Sequence, residues 1–280
     1  MATGNSGPTD AMEQRALGSS GLQVPVVGMG TWRTFDVRGA ALESERKKVV
    51  DVAIDSGAIL FDTSPMYGEA EDVLAGSIAG RRDGVIVADK VWTPDAAEGQ
   101  RQISRALGWF GGRIDIYQIH NLVAWQTHLP VLERLRDEGQ VRVVGATHYQ
   151  HAAFDDLLAL MRTGRVAQIQ IPYNAVDRAV EKHILPAAHD LGIGVIVMRP
   201  LGGGKLVEQP PAASELEPFR QFGVGTWAQI LLKWILSDTR VHCVIPATSN
   251  AGRMRENAAA GRPPWFDADA KARVGRLVGW

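Results

Sequence analysis

The 280-residue sequence predicts an α/β fold, a (β/α)8 TIM-type barrel carrying a short N-terminal hairpin. Three observations support it. Eight short apolar runs rich in Val and Ile recur along the chain: VVGMGTW, AILFDTS, VIVADKVW, DIYQIHN, VRVVGATH, AQIQIPYN, GVIVMRPL and VHCVIPATS. Each is too continuously apolar for a strand with one wet face, so both faces should be covered. Helical patterns lie between them, and the strand-end positions Gly30, Asp62, Lys90, His120, Thr147, Gln170, Met198 and Ser249 stand 32, 28, 30, 27, 23, 28 and 51 residues apart. Apart from the last interval, each is about one strand-plus-helix unit.

Taken in order, MATGNSGPTDAMEQ is polar and small with no apolar leader segment, and residues 1–14 are expected to be a disordered tail. RALGSSGLQV, residues 15–24, reads as two brief apolar pieces around Gly18 and Gly21, a hairpin placed to plug the barrel's bottom. In ESERKKVVDVAIDSG the pairs Val49/Ala53 and Val50/Ile54 form a stripe at i,i+4, and Gly57 supplies the left-handed stop. LPVLERLRDEGQ, FDDLLALMRTG, AVEKHILPAAHDLG and VGTWAQILLKWILSD repeat that arrangement. LGGGKLVEQPPAASELEPFRQFG, about residues 201–223, is the longest irregular insertion, and its place after the seventh strand makes it a ligand-covering loop. No Pro-, Gly- or Ser-rich linker divides the rest, so residues 15–280 are read as one barrel domain. A doubly wound sheet would be expected to show GxGxxG after its first strand, and VVGMGT has only the first two of those glycines.

Thirty basic against 31 acidic residues give a net charge of -1 with no long block of either sign. That excludes a nucleic-acid arm or a membrane-binding patch and leaves a small molecule as the expected partner. No stretch offers eighteen uninterrupted apolar residues for a membrane span. The single cysteine, Cys243 in VHCVIP, reads as a buried structural thiol, and a reducing, cytoplasmic setting is expected. No metal is called for. The oligomeric state is left open, a monomer being consistent with the sequence.

Strands of such a barrel point one way, and reactive groups collect where they end. Asp62, Lys90 and His120 close three different apolar runs, and Tyr67 follows Asp62 in the connecting loop. A free tyrosine titrates near pH 10, and a neighbouring ammonium favours its phenolate, so Lys90 is expected to lower it. Asp62 would hold Lys90 charged at a partly dry mouth. His120 can orient a substrate oxygen beside Tyr67 or share in a proton relay. These groups deliver a proton but contain nothing that attacks carbon, so a second reactant must be borrowed.

From about residue 15 to 260 the chain resembles the aldo-keto reductase superfamily, barrel enzymes that reduce carbonyls with a nicotinamide cofactor. GMGTW at 28–32, which includes Gly30, Thr31 and Trp32, looks like the family's first strand beside the nicotinamide. FDTSPMYG, ADKVW and DIYQIHN look like the segments carrying its catalytic tetrad, which the resemblance places at Asp62, Tyr67, Lys90 and His120. Asp62 is also taken to border the cofactor. GATHY keeps a hydroxyl at Thr147 but puts His148 where the family has a carboxamide-binding Asn, and Gln170 in QIPYN matches the other carboxamide ligand. VMRPLGGGKL resembles the strand and glycine loop along the nicotinamide and pyrophosphate, implying contacts from Met198, Arg199, Pro200, Leu201, Gly202, Gly203 and Gly204. Met198 stands where many members have a stacking Tyr. IPATSNAGRMREN resembles the adenosine-phosphate segment, with Pro246, Thr248, Ser249, Asn250, Arg253, Glu256 and Asn257 as the implied contacts. Arg253 would pair with the 2'-phosphate, while Ala247 replaces a frequent Lys, so NADPH is the expected cofactor with NADH kept open.

The implied activity is reduction of an aldehyde or ketone, with Trp32 and Trp92 beside Tyr67 and His120 walling the substrate pocket. The chain ends at Trp280 without the long C-terminal loop many members carry, which implies an open pocket. Two alternatives compete. Lys90 could be the Schiff-base lysine of an aldolase-like barrel, or the chain could be a non-catalytic cofactor sensor like the family's potassium-channel β subunits.

Overall fold

A computed structural model describes residues 11–279, and the disordered tail expected at residues 1–14 lies outside them for residues 1–10. Residues 12–14 differ from that expectation. Met12 packs against the core, the Glu13 amide donates to Gly261 O at 2.9 Å, and Gln14 already opens a strand. That strand, β1 (Gln14–Ala16), pairs antiparallel with β2 (Gln23–Pro25), and Gln14 lies opposite Pro25.

Eight parallel strands follow in sequence order: β3 (Met29–Gly30), β4 (Leu60–Asp62), β5 (Ile86–Val91), β6 (Ile114–His120), β7 (Val141–Thr147), β8 (Gln168–Pro172), β9 (Gly194–Met198) and β10 (Cys243–Val244). Parallel bridges Val27↔Val244 and Gly30↔Ala247 join the first to the last, so the chain forms a (β/α)8 barrel with the expected hairpin. The helices are α1 (Ala40–Asp55), α2 (Ala70–Ser77), α3 (Ala96–Trp109), α4 (Trp125–Asp137), α5 (Phe154–Arg162), α6 (Ile184–Asp190), α7 (Ala213–Leu216), α8 (Trp227–Leu236), α9 (Ala251–Ala259) and α10 (Ala268–Leu277). Side-chain caps start several of them: Asp95 accepts from the Glu98 amide at α3, and Asp267 from the Ala270 amide at α10.

Alternation along the strands sorts the barrel interior into layers. Lowest lie Leu60, Ile86, Ile116, Val143, Ile196 and Cys243, and Leu17, Leu22 and Val24 of the hairpin pack onto them as the expected plug. Cys243 is buried there, as predicted. The fit is close at Gly18, whose φ is +53° and where a Cβ would lie 2.3 Å from Gly192 O. Only glycine meets both conditions. One layer higher, Gln118 and Gln168 are fully buried beside Gly145, where a Cβ would lie 2.0 Å from Gln168 Oε1. Asp62, Lys90 and His120 stand at or next to the upper ends of β4, β5 and β6.

Three strand ends differ from the sequence expectation. β5 runs one residue past Lys90, and β8 ends at Pro172, two beyond Gln170. β10 stops at Val244, five residues short of Ser249, because Pro246 has no N–H with which to continue the ladder and only its carbonyl serves, accepting from the Gly30 amide at 3.3 Å. Residues 201–223 are also more regular than expected: 3-10 turns at Gly202–Val207 and Glu217–Phe222 flank α7, and the Trp227 indole N–H donates to Leu206 O at 2.8 Å. Among the described residues no helix is long and apolar enough to cross a membrane.

Candidate active site

A cavity of about 960 Å³ opens at the C-terminal ends of the strands. Behind its Tyr67 wall Lys90 is fully buried, and its Nζ donates to Asp62 Oδ1 and to Thr63 O, both at 2.6 Å; neither Lys90 nor Asp62 lines the cavity, so Asp62 does not border it, contrary to the expectation. The ion pair bridges adjacent strands: Asp62 is in register with Ala88, and Lys90 lies two residues further along β5 on the same inward face. Burial pushes the Asp62 carboxyl up, against the pull of the Lys90 ammonium and of the Gln170 and Gln118 amides.

Tyr67 closes the 3-10 turn Pro65–Tyr67, which Ser64 caps by accepting the Met66 amide. It lies on the cavity wall with the Lys90 ammonium 5.3 Å from its ring centroid. The expected lowering of the phenol is overturned. Burial, then the negative charges of Asp62 and Asp89, push Tyr67 well above its ordinary value, with Arg199 pulling the other way. The reason is geometric: two of the three Lys90 donors go to Asp62 and Thr63, and the ammonium lies over the ring of Tyr67 and makes no hydrogen bond to its oxygen. In this form the phenol holds its proton.

His120 also lines the cavity, edge-on to Tyr67 with ring centroids 5.8 Å apart. Burial, then the charges of Lys90 and His148, lower its imidazole to about 2, so it is neutral across the working range. Its Nδ1 is 2.8 Å from Ser64 Oγ, a partner that the sequence reading missed although Ser64 stands inside FDTSPMYG. Trp32 lies on the cavity wall as expected, whereas Trp92 is exposed with its ring 6.4 Å from that of His120 and does not line the cavity.

Along the floor, Gly30, Thr147, Gln170 and Met198 face the cavity. Thr147 Oγ1 and Gln170 Oε1 are buried and have no protein partner, as acceptors awaiting a ligand amide would be. Thr31 is fully buried and donates its hydroxyl to Asp62 O, bracing the strand end instead of facing the cavity. His148 departs from its assigned place: its Nδ1 accepts the Gln150 amide at 3.1 Å, its ring stacks on Tyr149, and it is not on the cavity wall. Tyr149 lines the cavity in its stead, with the Arg199 guanidinium 4.7 Å from its ring. The signal for Tyr149 was in GATHY, one residue beyond the position singled out.

Arg199, Pro200, Leu201, Gly203 and Gly204 form the next stretch of wall, and Gly202 turns the chain behind them with φ +61°. Arg199 itself has φ +52°, an uncommon setting for a side-chain-bearing residue, and Asn174 Nδ2 holds its carbonyl at 3.2 Å. At the far end lie Pro246, Thr248, Ser249, Arg253, Glu256 and Asn257, together with Thr226 and Trp227 at the start of α8. Asn250 accepts the Arg253 amide and so caps α9 instead of facing the cavity. Glu256 accepts the Thr226 hydroxyl at 2.5 Å, which ties α9 to α8. Arg253 is exposed and makes no ion pair among the described residues. No group of three or more His, Cys, Asp or Glu that could hold a metal occurs among the described residues.

The sequence matches the family model described as Aldo/keto reductase family over residues 26–274. It is 27% identical over 260 residues to a methylglyoxal reductase of Escherichia coli, covering 89% of each chain. It is also 27% identical over 281 residues to an L-galactose dehydrogenase of Arabidopsis thaliana, covering 89% of this chain and 88% of that one. Among solved structures, an aldo/keto reductase from Klebsiella pneumoniae in complex with NADP and acetate superposes with a TM-score of 0.79 at 25% identity, covering 93% of both chains.

Proposed function

The chain belongs to the aldo/keto reductase family, and we propose that it reduces an aldehyde or ketone to an alcohol with NADPH, Tyr67 acting as the proton donor. One observation carries the reading: a single cavity runs from a protonated phenol backed by a buried Lys–Asp pair to a helix N-terminus bearing an uncommitted arginine. The residues fit a nicotinamide dinucleotide. Thr147 and Gln170 offer unpaired acceptors for a carboxamide, the 202–204 turn lets phosphate oxygens approach the backbone, and Arg253 beside the α9 N-terminus suits a 2'-phosphate. The cofactor, when bound, supplies the hydride.

The chain's own residues do the rest. Tyr67, kept as O–H by burial and nearby carboxylates, donates its proton to the carbonyl oxygen. Lys90 sits under the ring, where its charge stabilises the phenolate left behind, and Asp62 anchors Lys90 in that place. His120, held neutral, offers a ring N–H to the same oxygen. Trp32 and Tyr149 give the cavity an aromatic wall for the body of the substrate. The Schiff-base alternative has little support, since an amine with no exposed surface and two acceptors at 2.6 Å is poorly placed to attack a carbonyl. Ala247 in place of a second cation leaves Arg253 to set any preference for NADPH over NADH.

The test is quenching of tryptophan fluorescence by NADPH and NADH, followed by a panel of aldehydes and ketones read as cofactor absorbance. Consumption of NADPH by wild type and not by Tyr67→Phe supports the reading. Binding without consumption across the panel favours a cofactor sensor and sinks the reductase.

A further inference from the structure

We propose that Ser64 is a positioning residue that fixes the His120 tautomer, donating its hydroxyl hydrogen to Nδ1 so that Nε2 carries the ring proton and faces the cavity. The proposal rests on the reductase reading for its catalytic meaning but not for its structural content.

The hydrogen-bond inventory decides the direction. A serine hydroxyl has one hydrogen and two lone pairs. Ser64 Oγ already accepts from the Met66 amide at 3.2 Å, which uses one lone pair and fixes the oxygen at the start of the 3-10 turn. Its other contact is His120 Nδ1 at 2.8 Å. Ser64 is fully buried, and no other acceptor for its hydrogen occurs among the described residues. Were Nδ1 to carry the proton and donate to Oγ, the buried hydroxyl hydrogen would have no acceptor, an arrangement that buried polar groups avoid. With Ser64 donating, every group is used. The ring is neutral, so only one nitrogen bears hydrogen, and Nε2 has no partner among the described residues although His120 lines the cavity. The same serine thus sets Tyr67, through the turn it caps, and His120, through its hydrogen.

The imidazole has little freedom to escape this arrangement. Tyr67 lies edge-on to it at 89°, and Trp92 is tilted against it at 56°. Rotating the ring to exchange its nitrogens would break the Ser64 bond and disturb both contacts.

Nitrogen-15 NMR of the histidine-labelled full chain reads the tautomer without any turnover. In wild type the expected result is a protonated nitrogen at Nε2 and an unprotonated one at Nδ1 of His120. Ser64→Ala should bring a mixture with the Nδ1–H form and lower kcat on the order of tenfold, with NADPH affinity unchanged. Ser64→Thr, which keeps a hydroxyl, should restore both the spectrum and the rate. An Nδ1–H tautomer in wild type, or an unaltered tautomer in a folded Ser64→Ala, overturns the proposal. Should Ser64→Ala fail to fold, the wild-type spectrum decides alone. A wild-type chain that reduces nothing sinks the reductase reading and leaves the tautomer result standing.

Discussion

At one end of the cavity Lys90 has no exposed surface and its ammonium is committed to Asp62 and Thr63, while at the other Arg253 stands exposed on α9 with no ion pair among the described residues. The Tyr67 end is completed by the protein alone. The Arg253 end offers donors that a ligand must complete, with the α9 N-terminus behind them. The difference reflects what each end is proposed to do. Groups that meet developing charge act best when already oriented, because reorganising them during the reaction costs rate. Groups that recognise a dissociable cofactor act best when their partners are absent from the free protein.

Lys90→Met strikes the pre-paired end hardest. It leaves the Asp62 carboxyl buried without its cation, so unfolding free energy should fall by about 3–5 kcal/mol and turnover should vanish. Urea unfolding with a parallel rate assay checks this, and a stable, active variant would show that the pair does not organise the site. Tyr67→Phe removes the proton donor without leaving a charge behind. Its turnover should drop by about 10²–10⁴-fold while NADPH still quenches tryptophan fluorescence. Since Tyr67 is pushed above its ordinary value, no loss of turnover from phenol ionisation is expected below about pH 10. A decline centred near neutrality would contradict the buried phenol described here.

Arg253→Ala addresses the open end, where the effect should be selective. NADPH affinity should weaken by about tenfold to a hundredfold through loss of charge-assisted bonds, and NADH affinity should barely change. Equal losses for the two cofactors would move Arg253 away from the 2'-phosphate. The smallest effect lies behind Lys90, where Glu71 and Asp89 share a buried site and burial pushes both carboxyls up. A folded state that retains protons the unfolded chain releases is fully stable below the ordinary carboxylate range and loses stability as pH rises through the folded titration. Glu71→Gln should therefore flatten the decline in urea midpoint between about pH 5 and 9. An unchanged slope would place the pH dependence elsewhere.

The pre-paired end was the more legible in the sequence, and the reason is strand alternation. An ionisable residue closing an apolar run points to a barrel mouth, so Asp62, Lys90 and His120 could be found one strand at a time. What each side chain touches could not be found that way. Ser64 and His120 are 56 residues apart, and nothing in either segment says which hydroxyl meets which ring. The sign of the shift at Tyr67 was misread for a related reason: a cation nearby was visible in the sequence, but its commitment to Asp62 and Thr63 was not. At the open end the motif located the residues yet misassigned single roles, as with His148, which bonds the Gln150 amide, and Asn250, which caps α9. Neighbours of a motif are placed by turns whose geometry the motif does not specify.

Barrel closure joins segments that lie far apart along the chain. Arg15 Nη1 donates to Val241 O across a separation of 226 residues, and the amide of Val244 donates to Val26 O. Joining ends that far apart costs about 5 kcal/mol of chain entropy, and nothing offsets it until β10 has been synthesised. A nascent chain therefore carries β3 with one free edge until β10 emerges, the interval in which an unpaired strand is most prone to join another molecule.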